Sequence, residues 1–335
     1  MDLATDYMGL ALRNPLVASA SPLSNTVDGV RRLADGGVGA VVFFSLFEEQ
    51  LRREALTYAR LVEAGTESFA ESLSYLPAAA DNGVGPQRYL SLIERAADTV
   101  DIPLIASING STPGGWAEYA HSMQDAGAAA IELNIYYVPG DPTMPGRDVE
   151  QRHLDILDRV KQAVTVPVAV KLSPHFSSMG EMALRLDQAG ADALVLFNRF
   201  LQPDIDTNTL VIAPTIDLSS PVEARLPRTW IALLRGRVGA SLAATTGVES
   251  SVDVVKYLLA GADVVMSASA LIRHGAAYAT TLLDGLIEWM ERRGYDDVGQ
   301  MRGLLAVSAD VDEAAYERAG YVTALQEGQR TYGHW

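Results

Sequence analysis

A chain of 335 residues with 48% hydrophobic content can bury a large core, and one α/β barrel with insertions accounts for that length, so a single domain over 1–335 is expected. Its 42 acidic and 26 basic residues leave a formal net charge of −16, which opposes attraction to nucleic acid or anionic lipid and points to a soluble protein with a small-molecule partner. The absence of cysteine excludes disulfides, thiolate catalysis and Cys-ligated zinc or iron–sulfur clusters.

Met1-Asp2-Leu3-Ala4-Thr5-Asp6 lacks the basic-then-apolar order of a signal peptide, and no apolar run approaches the roughly 18 residues of a spanning helix. A cytoplasmic location is therefore expected. Eight short apolar runs follow, at 16–21, 40–44, 104–109, 129–135, 166–172, 193–197, 237–243 and 263–267. Each leads into a polar turn and then an amphipathic stretch, the alternation of a parallel sheet with helices outside it. One predicted helix, 26–34, carries Val27, Val30 and Leu33 on one face. Another, 116–126, carries Ala117, Ala120 and Met123.

Four phrases repeat one joint: Gly36-Gly37-Val38-Gly39-Ala40, Ala126-Gly127-Ala128-Ala129-Ala130, Ala189-Gly190-Ala191-Asp192-Ala193 and Ala260-Gly261-Ala262-Asp263-Val264. Each is a helix stop followed by entry into a strand. Four such joints with eight strands favour a closed (β/α)8 TIM barrel over an open doubly wound sheet. Gly37-Val38-Gly39 is no dinucleotide fingerprint, because it precedes a strand and lacks the third glycine.

Two intervals exceed a simple crossover, one after strand two and one after strand six. The first, 45–103, contains a predicted helix at 48–58, a polar segment at 67–76 and a turn at 81–86. The second, 199–227, contains a short β-prone stretch at 209–212. Both follow a strand, on the face where barrel loops hold ligands. The tail 310–335 reads as a helix whose Tyr316, Tyr321, Tyr332 and Trp335 pack either on the barrel or on a second subunit of a homodimer.

Lys171 closes the apolar run 166–170, which places its ammonium at the barrel mouth, facing either a ligand or solvent. Asn109, Asn134 and Asn198 end the third, fourth and sixth strands, and each amide offers two donors and an acceptor. Thr245-Thr246-Gly247 and Ser267-Ala268-Ser269 follow strands seven and eight, where small residues and hydroxyls suit either a phosphate or ordinary helix capping. Ile131-Glu132-Leu133-Asn134-Ile135 reads as a buried strand running through Tyr136 and Tyr137 into Val138-Pro139-Gly140. The five histidines (His121, His153, His175, His274, His334) form no HxxxH or HExxH pattern, so no metal site is expected.

In this order, Asn14-Pro15-Leu16, Leu133-Asn134, Val170-Lys171-Leu172-Ser173-Pro174, Asn198, Thr246-Gly247-Val248 and Ala270-Leu271 resemble the dihydroorotate dehydrogenase family of FMN barrels. The resemblance covers about 1–290. It implies an N-terminal hairpin before the first strand and FMN as cofactor. It also places Ser19, Ala20, Ser21 and Ser45 against the flavin, and Asn109 and Asn134 on its ring or ribityl chain. By the same resemblance Lys171 lies near the N1/O2 edge, where a cation stabilises the anionic reduced form, and backbone N–H groups near Thr246, Gly247, Ala268 and Ser269 hold the phosphate. Asn134 and Asn198 match amides that grip the substrate.

The departures from the family concern chemistry. The family's base, a Cys or Ser after the fourth strand, is replaced by Tyr137 or its neighbour Tyr136, and Phe44 stands where the family has a lysine contacting flavin and substrate. Glu71-Ser72-Leu73-Ser74-Tyr75 does not match the family's Asn-rich substrate loop. A tyrosine with an ordinary pKa of about 10 is a poor base at neutral pH, so Tyr137 is a base by position alone, with ring stacking, proton donation and simple packing over the barrel mouth as its other readings. The expected function is an FMN-dependent oxidoreductase acting on a small dihydro or unsaturated substrate at a CH–CH bond, with Tyr136, Tyr137 and Lys171 as catalytic candidates and Phe44, Asn134 and Asn198 lining the substrate. Three alternatives stand beside it: a genuine dihydroorotate dehydrogenase with an unusual base, a non-catalytic barrel binding FMN or a phosphorylated ligand, and an aldolase or isomerase using Lys171 as a Schiff base.

Overall fold

Alternate residues along the strands face two different surroundings, and this alternation builds the molecule. In the computed structural model, which describes residues 1–49, 86–110, 116–199, 203–213, 217–308 and 310–333, eight parallel strands close into a barrel. They are β3 (Leu16–Ala18), β4 (Ala40–Val42), β6 (Leu104–Gly110), β7 (Ala130–Ile135), β8 (Val168–Leu172), β9 (Ala193–Leu196), β12 (Ser241–Ala244) and β13 (Val264–Ser267), with β4 paired to β6 to complete the ring. A two-residue strand, β5 (Leu46–Phe47), extends the pairing beside the end of β6. The expected (β/α)8 fold is thus present.

Leu16, Val41, Ile131, Val170, Leu194 and Leu242 face outward and pack under the helices. Val17, Val42, Ile105, Ala130, Ala169, Ala193, Ala243, Val264 and Met266 face inward in a separate cluster. Both strand faces are apolar, as a barrel buried on both sides requires. The many alanines inside leave space near the axis. Tyr7, Met8 and Leu12, from the hairpin of β1 (Thr5–Tyr7) and β2 (Leu10–Leu12), fill its lower end. That hairpin is tied to the same end of the barrel, where β12 and β13 begin: the Thr5 hydroxyl donates to the Asp263 carbonyl at 3.1 Å, and the Met8 N–H donates to Ser241 Oγ at 3.1 Å.

The helices outside are α1 (Val27–Asp35), α2 (Pro86–Ala97), α3 (Trp116–Asp125), α4 (Gly146–Ala163), α5 (Met179–Gln188), α6 (Arg225–Leu234), α7 (Ser251–Ala260), α8 (Ser269–His274) and α9 (Tyr278–Arg293). Thr26 caps α1 by accepting from the Gly29 N–H, and Ser250 with Asp253 forms a capping box on α7. At the four repeated joints Gly37, Gly127, Gly190 and Gly261 all have left-handed φ, from 90° to 117°, which explains the recurrence of glycine there.

Strand seven starts later than its composition suggests. Instead of 237–243 it occupies Ser241–Ala244, because Arg237 turns outward to donate to the carbonyls of Leu233, Val307 and Ser308. The β-prone stretch at 209–212 belongs to a hairpin, β10 (Asp204–Asp206) with β11 (Val211–Ala213), inserted after the sixth barrel strand. Most of the predicted 48–58 helix, all of 67–76 and residues 81–85 lie outside the described residues. The tail forms a helix, α10 (Glu313–Tyr332).

Candidate functional site

The strand ends place the chemistry in two rows inside the barrel. Asn109, Asn134, Lys171 and Val195 are in register across β6, β7, β8 and β9, and one step below them lie Ser107, Glu132, Ala169 and Ala193. Lys171 is therefore the upper end of an inward-facing series. Its side chain is only 9% exposed, and its Nζ lies 3.5 Å from Oε1 of Glu132, which is itself fully enclosed. The Asn198 amide donates to the Asn134 Oδ1 at 2.6 Å, so strands four and six present their amides as one pair.

A cavity of about 160 Å³ runs from Lys171 and Asn198 to the loops after β12 and β13. Ser19, Ala20, Thr246, Gly247, Ala268 and Ser269 also line it. Thr246 and Gly247 are both left-handed, with φ of 80° and 73°. This is strained for a β-branched residue, and three bonds hold it. The Thr246 hydroxyl donates to the Phe197 carbonyl at 3.1 Å, and the Tyr257 hydroxyl donates to the carbonyls of Thr246 at 2.7 Å and Thr245 at 3.1 Å. Burial pushes the Tyr257 phenol well above its ordinary pKa, against the opposing charge of Arg228, so the hydroxyl keeps its proton. At Gly247 a Cβ would fall 2.6 Å from the Ser220 carbonyl oxygen, and no other residue fits that turn.

Several expected residues stand outside this cavity. Ser21 caps a short 3-10 turn by accepting from the Leu23 N–H at 3.4 Å, and Ser45 shares a hydrogen bond of 2.9 Å with Ser107. Phe44 is partly buried, its ring edge-on to Tyr89 with centroids 5.1 Å apart. Asn109, next to last in β6 beside Phe47, does not line the cavity, and neither does Asn134. The Tyr136 N–H donates to the Gly110 carbonyl. The Tyr137 hydroxyl donates to Met144 Sδ at 3.1 Å, and the Arg152 guanidinium lies 4.1 Å above its ring. Neither tyrosine lines the cavity.

Three contributors were not singled out by composition. Ser219 is buried; its hydroxyl accepts from the Gly247 N–H at 3.1 Å and lies 2.9 Å from Ser269 Oγ, while its own N–H donates to that oxygen at 3.0 Å. A legible signal stood next to it, since Ser220-Pro221 with Glu223 is a capping box that fixes the turn. Tyr257 and Glu132 carry no such signal, because each looks like an ordinary helix or strand residue until the fold closes. Among the described residues no cluster of three or more potential metal ligands occurs, and no helix is long and apolar enough to cross a membrane.

A family model described as Dihydroorotate dehydrogenase matches residues 2–290. The chain belongs to the dihydroorotate dehydrogenase family. Its relatives include the catalytic subunit of dihydroorotate dehydrogenase B (NAD(+)) from Methanothermobacter thermautotrophicus, 28% identical over 320 residues, or 90% of this chain and 98% of the relative. The NAD-dependent dihydropyrimidine dehydrogenase subunit PreA of Escherichia coli K12 is 25% identical over 318 residues, 90% of this chain and 76% of that protein. Over a shorter stretch, 217 residues covering 63% of this chain and 70% of the relative, the identity to the dihydroorotate dehydrogenase B catalytic subunit of Halalkalibacterium halodurans is 31%. For a dihydroorotate dehydrogenase family barrel, the cavity between Lys171 and Gly247 lies at the expected C-terminal face of the strands. The chain resembles dihydroorotate dehydrogenase as an oxidoreductase, and it does so with no thiol in the protein.

Proposed function

We propose that the chain is an FMN-dependent oxidoreductase acting on the carbon–carbon bond of a small, cyclic, dihydro or unsaturated substrate. The observation that carries this reading is the single cavity with Lys171 and Asn198 at one end and the Gly247 and Ser269 loops at the other. A ligand with a ring at one end and a phosphate at the other matches that order. The Gly247 N–H is already donated to Ser219 Oγ, so an anion at this small-residue end would meet the neighbouring backbone N–H groups of the loops at 245–248 and 267–269. FMN, when bound, supplies the hydride chemistry.

The chain's own residues then have separate tasks. Lys171 sets a positive charge under the ring end, and the Asn134–Asn198 pair offers amide donors and acceptors to the substrate's polar edge. Phe44 stands where the family has a lysine and packs edge-on to the buried Tyr89 outside the cavity, so that position supplies no cation for a substrate carboxylate. A phenol with an ordinary pKa of about 10 is a better acid than base at neutral pH, and Tyr137, whose hydroxyl is donated to Met144 Sδ outside the cavity, meets a substrate only where that substrate extends beyond it. Reduction of an unsaturated substrate needs an acid at the carbon beside the hydride, whereas oxidation of dihydroorotate needs a base. The reductive direction is therefore the one this site favours.

The purified protein is expected to show flavin absorption near about 370 and 450 nm, or to acquire it on addition of FMN. A colourless protein that takes up no FMN overturns the reading. In anaerobic, FMN-loaded protein, dihydroorotate is expected to leave the absorption unchanged, and rapid bleaching by it would instead identify a genuine dihydroorotate dehydrogenase.

A further inference from the structure

Glu132 is fully buried inside the barrel, one row below the mouth. A carboxylate is costly to hold in such surroundings unless a cation faces it. Lys171 is that cation, and among the described residues no other charged group is paired with either partner. The contact is loose: Nζ stands 3.5 Å from Oε1, while Oε2 has no hydrogen-bond partner among the described residues. Ala169, beside it in register, offers no polar atom, and the Ser107 hydroxyl is engaged with Ser45. Below, the Tyr7 hydroxyl is likewise buried without a partner. Its pKa is pushed up, first by burial and second by the negative charge of Glu132. The centre of the barrel thus holds one negative and one positive charge, stacked along its axis, with the positive end toward the mouth.

We propose that Glu132 is a positioning residue for the redox cofactor, its buried carboxylate anchoring Lys171 and offsetting part of its charge so that the reduction potential of bound FMN is held down. The inference rests on the FMN reading above. Reduction adds negative charge to the ring, so an unopposed ammonium beneath it favours the reduced form, and a carboxylate behind that ammonium weakens the effect. Because the pair is loose, the ammonium keeps donors free for the mouth while remaining tethered.

The test measures the midpoint potential and the FMN dissociation constant of the full-length, FMN-loaded protein for wild type, Glu132→Gln, Lys171→Met and the double variant. Glu132→Gln is expected to raise the affinity for reduced relative to oxidised FMN roughly tenfold, the scale of one charge at the effective dielectric of a protein, or an upward shift of about 30 mV for the two-electron couple. Lys171→Met is expected to shift the potential down, and the double variant to lie between the two. A potential for Glu132→Gln equal to or below that of wild type overturns the proposal. Should Glu132→Gln fail to fold, Glu132→Asp, which keeps the charge and draws it back from Lys171 Nζ, is expected to raise the potential by a smaller step, and an unmoved or lowered potential in that variant overturns it. A wild-type protein that takes up no FMN refutes the cofactor reading and this inference with it, whereas normal uptake with unmoved potentials refutes this inference alone.

Discussion

Gly247 occupies a left-handed turn at which a Cβ would meet the Ser220 carbonyl and the Ala224 amide nitrogen at 2.6 and 2.8 Å. Replacing it by alanine must shift the loop that lines the small end of the cavity. Gly247→Ala is expected to weaken FMN binding by about tenfold or more, given strain on the order of 1–3 kcal/mol, with the far-ultraviolet circular dichroism unchanged. Titration of the apoprotein while following flavin fluorescence checks it. Unchanged affinity would remove this loop from the phosphate site. His153 offers a second test at this scale. It is buried in α4, its Nδ1 donates to the Val149 carbonyl at 2.9 Å, and its ring packs edge-on against Phe176. Burial pulls its pKa below the ordinary 6.5; the Val149 hydrogen bond opposes this shift, and the nearby Arg152 charge adds to it. In the window below 6.5 the unfolded chain takes up a proton that the folded one refuses, so this contribution to stability is lost as pH falls from about 6.5 to the folded value. Between about pH 7.5 and about pH 5.5 the urea midpoint of His153→Leu is expected to fall less than that of wild type. Equal slopes would contradict the assignment.

At the scale of elements, the repeated helix–glycine–strand joint does more than end a helix. In two copies the residue two after the glycine is an aspartate, and its carboxylate reaches the neighbouring strand: Asp192 accepts from the Val168 N–H at 2.7 Å and Asp263 from the Leu242 N–H at 2.8 Å. Each is also paired with cations, Asp192 with Lys161 and Asp263 with Arg235 and Arg302. In the copy at Gly127 no aspartate follows, and Gln124 from α3 accepts from the Thr165 and Val166 N–H groups instead. The shared requirement is an acceptor for backbone N–H groups at or just before the start of a barrel strand, whatever side chain supplies it. Asp263 is the more buried of the two aspartates and carries two arginines. Asp263→Ala is expected to cost about 3 kcal/mol, read as a lower urea midpoint, because it orphans a backbone donor and a partly buried guanidinium pair. A loss below about 1 kcal/mol would show that water replaces the carboxylate at little cost.

Across the whole molecule, the barrel was legible because its signals are local and repeated. The short apolar runs and the glycine joints each need only a few neighbouring residues to be read. The placement of candidate residues was legible where it follows from a strand end, as for Lys171, or from small-residue loops, as for Thr246, Gly247 and Ser269, which share one cavity. It was not legible where it depends on distant segments meeting. Ser219 meets Gly247 and Ser269 only because the insertion after β9 folds back over the loops after β12 and β13, and Glu132 becomes a partner of Lys171 only once β7 and β8 lie side by side. The late start of β12 was missed for the same reason, since the partners of Arg237 include Val307 and Ser308.

The N-terminal hairpin is tied to residues near the other end of the chain, and β3, paired with β4 on one edge, finds its second neighbour there. Thr5 bonds to a residue 258 positions away, and β3 pairs with β13. During synthesis at about 5–20 residues per second, the roughly 250 residues between them take about 13–50 s to appear. Through that interval β3 has one free edge, and the hairpin's apolar face has no barrel floor to fill. Closure of the ring is therefore among the last events of folding, slow because its contacts are so non-local. The nascent half-barrel carries an open strand edge of the kind that invites pairing with another chain.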